Sequence, residues 1–90
     1  MNAERVKTIE ERLAAEFSPS HLQVKDQSHL HVGHAGARDG MGHFEVTIVA
    51  DAFEGRGRIE RHRLIYAALG TLMQTDIHAL KINAYSATER

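Results

Sequence analysis

The sequence predicts an α+β fold: one three-stranded sheet covered on one face by helices. Three observations predict it. Apolar residues recur at helical spacing in two stretches, 3–17 and 59–73, and alternate with polar residues in three short ones, 22–25, 43–50 and 79–85. Ninety residues, 42% of them hydrophobic and only one a proline, suffice for one core and not for two, so 1–90 is expected to be a single domain.

Val6, Ile9, Leu13 and Phe17 define the first helix, with Glu4 and Lys7, and Arg12 and Glu16, placed to pair across a turn. Asn2 suits its N-cap, and Ser18-Pro19-Ser20 ends it because proline cannot continue the backbone ladder. Leu22 and Val24 alternate with Gln23 and Lys25 in a first strand that ends near Asp26. Residues 28–42 carry four glycines and no sustained period, which predicts a long loop of the kind that is often functional. The second strand runs from His43 to Ala50, with Phe44, Val46 and Ile48 on its core face, and pairs antiparallel with the first. A glycine-punctuated turn at 51–58 leads into one helical stripe from Ile59 to Met73, through Ile65, Ala68, Leu69, Leu72 and Met73. Leu80, Ile82 and Ala84 alternate with Lys81, Asn83 and Tyr85 in a third strand starting at Ala79.

Composition narrows the function. A chain of this size buries roughly 60 to 65% of its unfolded surface, which leaves little room for an enclosed substrate chamber. No Ser/His/Asp arrangement, phosphate-binding loop or carboxylate pair stands at a useful spacing, so no enzyme is expected. No apolar run approaches the length of a membrane span, and the first residues lack the apolar segment of a secretory signal; no membrane partner and a cytoplasmic location are expected. The net charge of −1 gives no global attraction to nucleic acid. Without cysteine the chain has neither a disulfide nor a thiolate, so soft-metal chemistry requires sulfur from a partner.

Seven histidines are the anomaly. His29, His31 and His34 crowd the long loop and His43 opens the strand after it, a set of borderline metal ligands whose spacing matches no standard autonomous site. Read from spacing alone, a solvated loop is favoured over a metal centre. A second cluster, Gly55, Arg56, Arg58, Arg61, His62 and Arg63, stands where the glycine turn enters a helix and suits phosphate or a partner surface. Glu54 and Glu60 interrupt it, which favours intrahelical ion pairs. His78 stands at the mouth of the last strand, where a capping residue is the plain reading.

Five blocks in order change the balance: His34-Ala35-Gly36, His43-Phe44 with the strand to Ala50, Phe53-Glu54-Gly55, Arg61-His62-Arg63-Leu64-Ile65-Tyr66, and Ile77-His78-Ala79-Leu80. Together they resemble the BolA family over nearly the whole chain. The resemblance implies an α-β-β-α-α-β order similar to the type II K-homology (KH) fold. It implies an adaptor in iron–sulfur trafficking and iron regulation that shares a [2Fe–2S] cluster with a monothiol glutaredoxin and its glutathione, and binds none alone. Metal ligation carries over to His78 and His34, with His31 and His29 as secondary candidates. Some members are described as DNA-binding transcription regulators. Here the turn reads Gly55-Arg56-Gly57, unlike the Gly-x-x-Gly loop with which KH domains clamp a nucleic-acid backbone. DNA and a homodimer partner stay open as alternatives.

Overall fold

The computed structural model describes residues 2–28 and 41–89. Helix α1 (Asn2–Phe17) begins at Asn2 itself and turns Ile9 and Leu13 fully inward, as their spacing requires. It ends where Ser18 takes a left-handed φ of 44° and its amide donates to the Ala14 carbonyl at 3.0 Å, with Pro19 next in the chain. Strands β1 (His21–Asp26) and β2 (Gly42–Val49) pair antiparallel, from His21 opposite Val49 to Asp26 opposite Phe44.

The residues after β2 hold a single helical turn, Asp51–Phe53, that buries Phe53 completely against Phe17, their rings 5.1 Å apart. The stripe expected from Ile59 to Met73 is broken. Helix α2 (Arg58–Leu69) stops at Gly70, whose φ of 55° and ψ of −127° suit glycine, and a one-turn helix α3 (Leu72–Thr75) follows. Leu72 and Met73 still pack on the core from this second piece, which is why they extend the apolar stripe in the sequence.

Strand β3 (Ile77–Tyr85) lies parallel to β2, giving a mixed sheet of order β1-β2-β3. Its one-turn sequel, Ala87–Glu89, has no periodic signal in the sequence. One sheet face carries Phe44, Val46, Ile48 and Ile82 against Ile9 and Leu13 of α1 and Ile65 and Leu69 of α2. Lateral bonds hold α1 in place: Arg12 donates to the Leu69 carbonyl at 3.2 Å and Arg5 pairs with Asp76 at 3.1 Å. The Asp76 carboxyl lies below its usual range because of the Thr75 hydroxyl, with Arg5 adding to the effect. On the opposite sheet face Gln23, Lys25 and Lys81 are exposed, whereas His43 and Val49 are buried. No helix among the described residues is long and apolar enough to cross a membrane.

Candidate metal-ligand site and the arginine turn

The first strand of evidence for a site is a break in the ladder. From His43 onward each β2 residue faces the β3 residue 36 positions later, so that His43 meets Ala79 and Phe44 meets Leu80. Gly42 instead meets Ile77, and the register shift leaves His78 as the extra residue of a β-bulge. Ile77 thereby enters the core at 1% exposure, while His78 stands exposed. Its ring packs against that of His43, centroids 5.1 Å apart and planes tilted by 44°.

His43 is only 7% exposed. Its backbone is pinned to the end of β1: the Gln27 amide donates to the His43 carbonyl at 2.7 Å, and the His43 amide donates to Ser28 Oγ at 3.0 Å. The chain enters and leaves the 29–40 segment at this point of the sheet, beside the two imidazoles. His29, His31 and His34 lie outside the described residues.

A shallow concavity of about 450 Å³ opens next to the pair, lined by Gln27, His43, Phe44, Glu45, Ala79, Leu80 and Lys81. Glu45 is its polar centre: it accepts from Gln27 Nε2 at 3.4 Å and from Asn83 Nδ2 at 3.0 Å, with Lys81 Nζ at 3.8 Å. Gln27, just past the end of β1, is therefore tied with β2 and β3 across this floor. No group of three or more metal-ligating side chains occurs among the described residues. An exposed imidazole on a fixed backbone can donate one nitrogen to a metal whose other ligands come from elsewhere.

The arginine turn is a different place, at the other end of β3. Arg61 is 9% exposed and wired inward: Nε donates to the Arg56 carbonyl at 2.8 Å, and one terminal nitrogen donates to the Ala84 carbonyl at 3.0 Å and to Glu89 Oε1 at 2.7 Å. Glu89 also accepts from the Ser86 amide at 2.7 Å, and Arg61 first, then Ser86, hold its carboxyl down to about 2. Arg56 pairs with Glu60 one turn on and donates to the Ala52 carbonyl. Arg58 and Arg63 are exposed and His62 is half-buried. Gly55 has a φ of 75° and, with Gly57, open space around it. Arg56, Arg58, Arg61 and His62, with Asn83 and Tyr85 of β3, border a second concavity, of about 440 Å³.

The sequence places His78 at a strand mouth and His43 at a strand edge; it does not show that the two meet. The missed signal is Ile77, an apolar residue of the wrong parity for the alternation that follows it, which marks a bulge.

Comparison with known proteins gives a consistent picture. The family model described as BolA-like protein matches residues 13–89. SufE-like protein 1, chloroplastic/mitochondrial, of Arabidopsis thaliana is 43% identical over an 86-residue alignment that covers 90% of this chain and 23% of that protein. The chain thus spans about a quarter of that relative. The DNA-binding transcriptional regulator BolA of Escherichia coli is 41% identical over 81 residues, 90% of this chain and 74% of the relative. Among solved structures, the BolA domain of SufE1 from Arabidopsis thaliana superposes with a TM-score of 0.85 at 40% identity, covering 96% of this chain and 95% of that one. BolA1 from Mus musculus gives 0.78 at 32% identity, covering 93% and 66%.

Proposed function

The chain belongs to the BolA family, and on that premise we propose that it is a non-enzymatic adaptor that shares a [2Fe–2S] cluster with a monothiol glutaredoxin. The partner and its glutathione supply the thiolates that a chain without cysteine lacks. His78 supplies one nitrogen ligand and His34 the second, with His31 and His29 as neighbours able to substitute. The observation that supports this reading is the exposed His78 imidazole, turned outward by a bulge opposite Gly42 and His43 and packed on the His43 ring. Neutral imidazole in place of thiolate raises the reduction potential of such a cluster. Because imidazole also takes up protons, the ligation is labile, which suits transfer.

The test is a titration of cluster-loaded monothiol glutaredoxin, in the presence of glutathione, with this protein. Visible absorption and circular dichroism should change to a new mixed-ligand spectrum. His78→Ala should fold and abolish that change, and His34→Ala should weaken it more than His29→Ala or His31→Ala. A wild-type spectrum from His78→Ala overturns the assignment.

A second reading is DNA binding, favoured by the name of the Escherichia coli relative. On this reading the exposed Arg58 and Arg63 contact phosphate, since Arg56 and Arg61 are engaged internally. Affinity for a DNA duplex should then fall steeply with salt and with Arg58→Ala.

A further inference from the structure

His43 has no part in the ligand set just described, yet it is the side chain on which His78 packs. Its surroundings make it a fixed support. Its backbone is bonded to Gln27 and Ser28 on one side and paired with Ala79 on the other, and its ring is almost fully buried. The next residues along the same face of β2, Glu45 and Thr47, are only half-buried. His78, by contrast, is exposed at a bulge, and an exposed side chain keeps one staggered rotamer only where its neighbours restrain it. A separation of 5.1 Å with a 44° tilt falls within the range of favourable packing between flat rings.

We propose that His43 is a positioning residue: its ring restricts the exposed His78 imidazole to one orientation, so that the ligand nitrogen is presented to a partner without first being ordered. The inference deepens the adaptor reading and rests on it for its functional consequence, whereas its structural content stands apart. Ordering a flexible side chain at an interface typically lowers affinity by about three- to tenfold, and a pre-ordered one avoids that loss. The role depends on a flat ring at position 43 and not on its nitrogens, so a phenyl ring should fill it.

Two measurements test this. In the metal-free protein, side-chain couplings of His78 read by nuclear magnetic resonance should report one rotamer in the wild type and in His43→Phe, and an average over rotamers in His43→Ala. With cluster-loaded glutaredoxin, His43→Ala should weaken formation of the shared cluster about three- to tenfold, and His43→Phe should restore it. If the small side chain prevents folding, His43→Leu takes its place, filling the space without a flat ring. An unchanged single rotamer in His43→Ala or His43→Leu overturns the proposal. So does a folded His43→Phe that shares no cluster, since a nitrogen would then be required. Should the wild type itself share no cluster, the adaptor reading fails while the rotamer measurement still decides the role of His43.

Discussion

Ile77 and His78 are adjacent in the chain and opposite in consequence. In an unbroken ladder the spacing that pairs His43 with Ala79 would set His78 against Gly42, on the face that carries Phe44, and drive an imidazole into the core. The bulge seats Ile77 there instead. Ile77→Ala should therefore cost about 2–5 kcal/mol, through lost burial and the cavity left behind. His78→Ala should change stability by no more than about 0.5 kcal/mol. Urea unfolding of both variants checks the contrast, and equal losses would make His78 a structural residue. The alternation of Leu80, Ile82 and Ala84 makes the strand legible from Ala79 onward. Of its first two residues only the odd parity of Ile77 leaves a trace in the sequence, because a bulge is a relation between two strands and only one of them is in view at a time.

Helix α2 shows the same limit at the level of elements. Its buried stripe of Ile65 and Leu69 is plain in the sequence, while the inward commitment of Arg61 is not, since its partners come from the end of β3 and the turn after it. That arginine ties three segments together: the glycine turn through the Arg56 carbonyl, β3 through Ala84, and the terminal turn through Glu89. Thr88, hydrogen-bonded to Glu54, closes the same clasp from outside. Arg61→Ala should cost about 1–3 kcal/mol, because carbonyls it satisfies lose their donor. Glu89 adds a pH dependence with a definite sign. Its carboxyl is held at about 2 in the folded protein against a usual 4.5, so the unfolded chain takes up the proton first as acid is added. The stabilisation is complete above about 4.5 and is lost as pH falls toward 2. Glu89→Gln should flatten the stability profile in that interval and leave its shape above pH 5 unchanged, as acid titrations of urea midpoints would show.

The whole molecule is one core with two differently built ends. Ile9, Leu13, Phe44, Ile48, Ile65, Leu69 and Ile82 sit at the positions that periodicity assigns to the interior, and all are buried. Phe53 is equally buried but stands in a glycine-bounded turn, where no period flags it. Leu13→Ala, removing a fully buried side chain between helix and sheet, should cost about 2–5 kcal/mol in thermal or urea unfolding. The two ends are the imidazole pair at the start of β3 and the arginine turn at its close. From His78 to Ala84, which the Arg61 guanidinium touches, the chain runs six residues of extended strand, roughly 20 Å at about 3.3 Å each. Mobile ions in the cell damp a field over about 8 Å. More than two such lengths separate the ends, so a charge gained or lost at one is electrically silent at the other. Neutralising Arg58, which lines the arginine-turn concavity beside Ala84, should leave the ligand behaviour of His78 untouched at about 0.15 M salt, and a metal centre held at His78 should leave any anion at the arginine turn undisturbed. The strand that joins the two surfaces also insulates them, and each can change its charge without the other registering it.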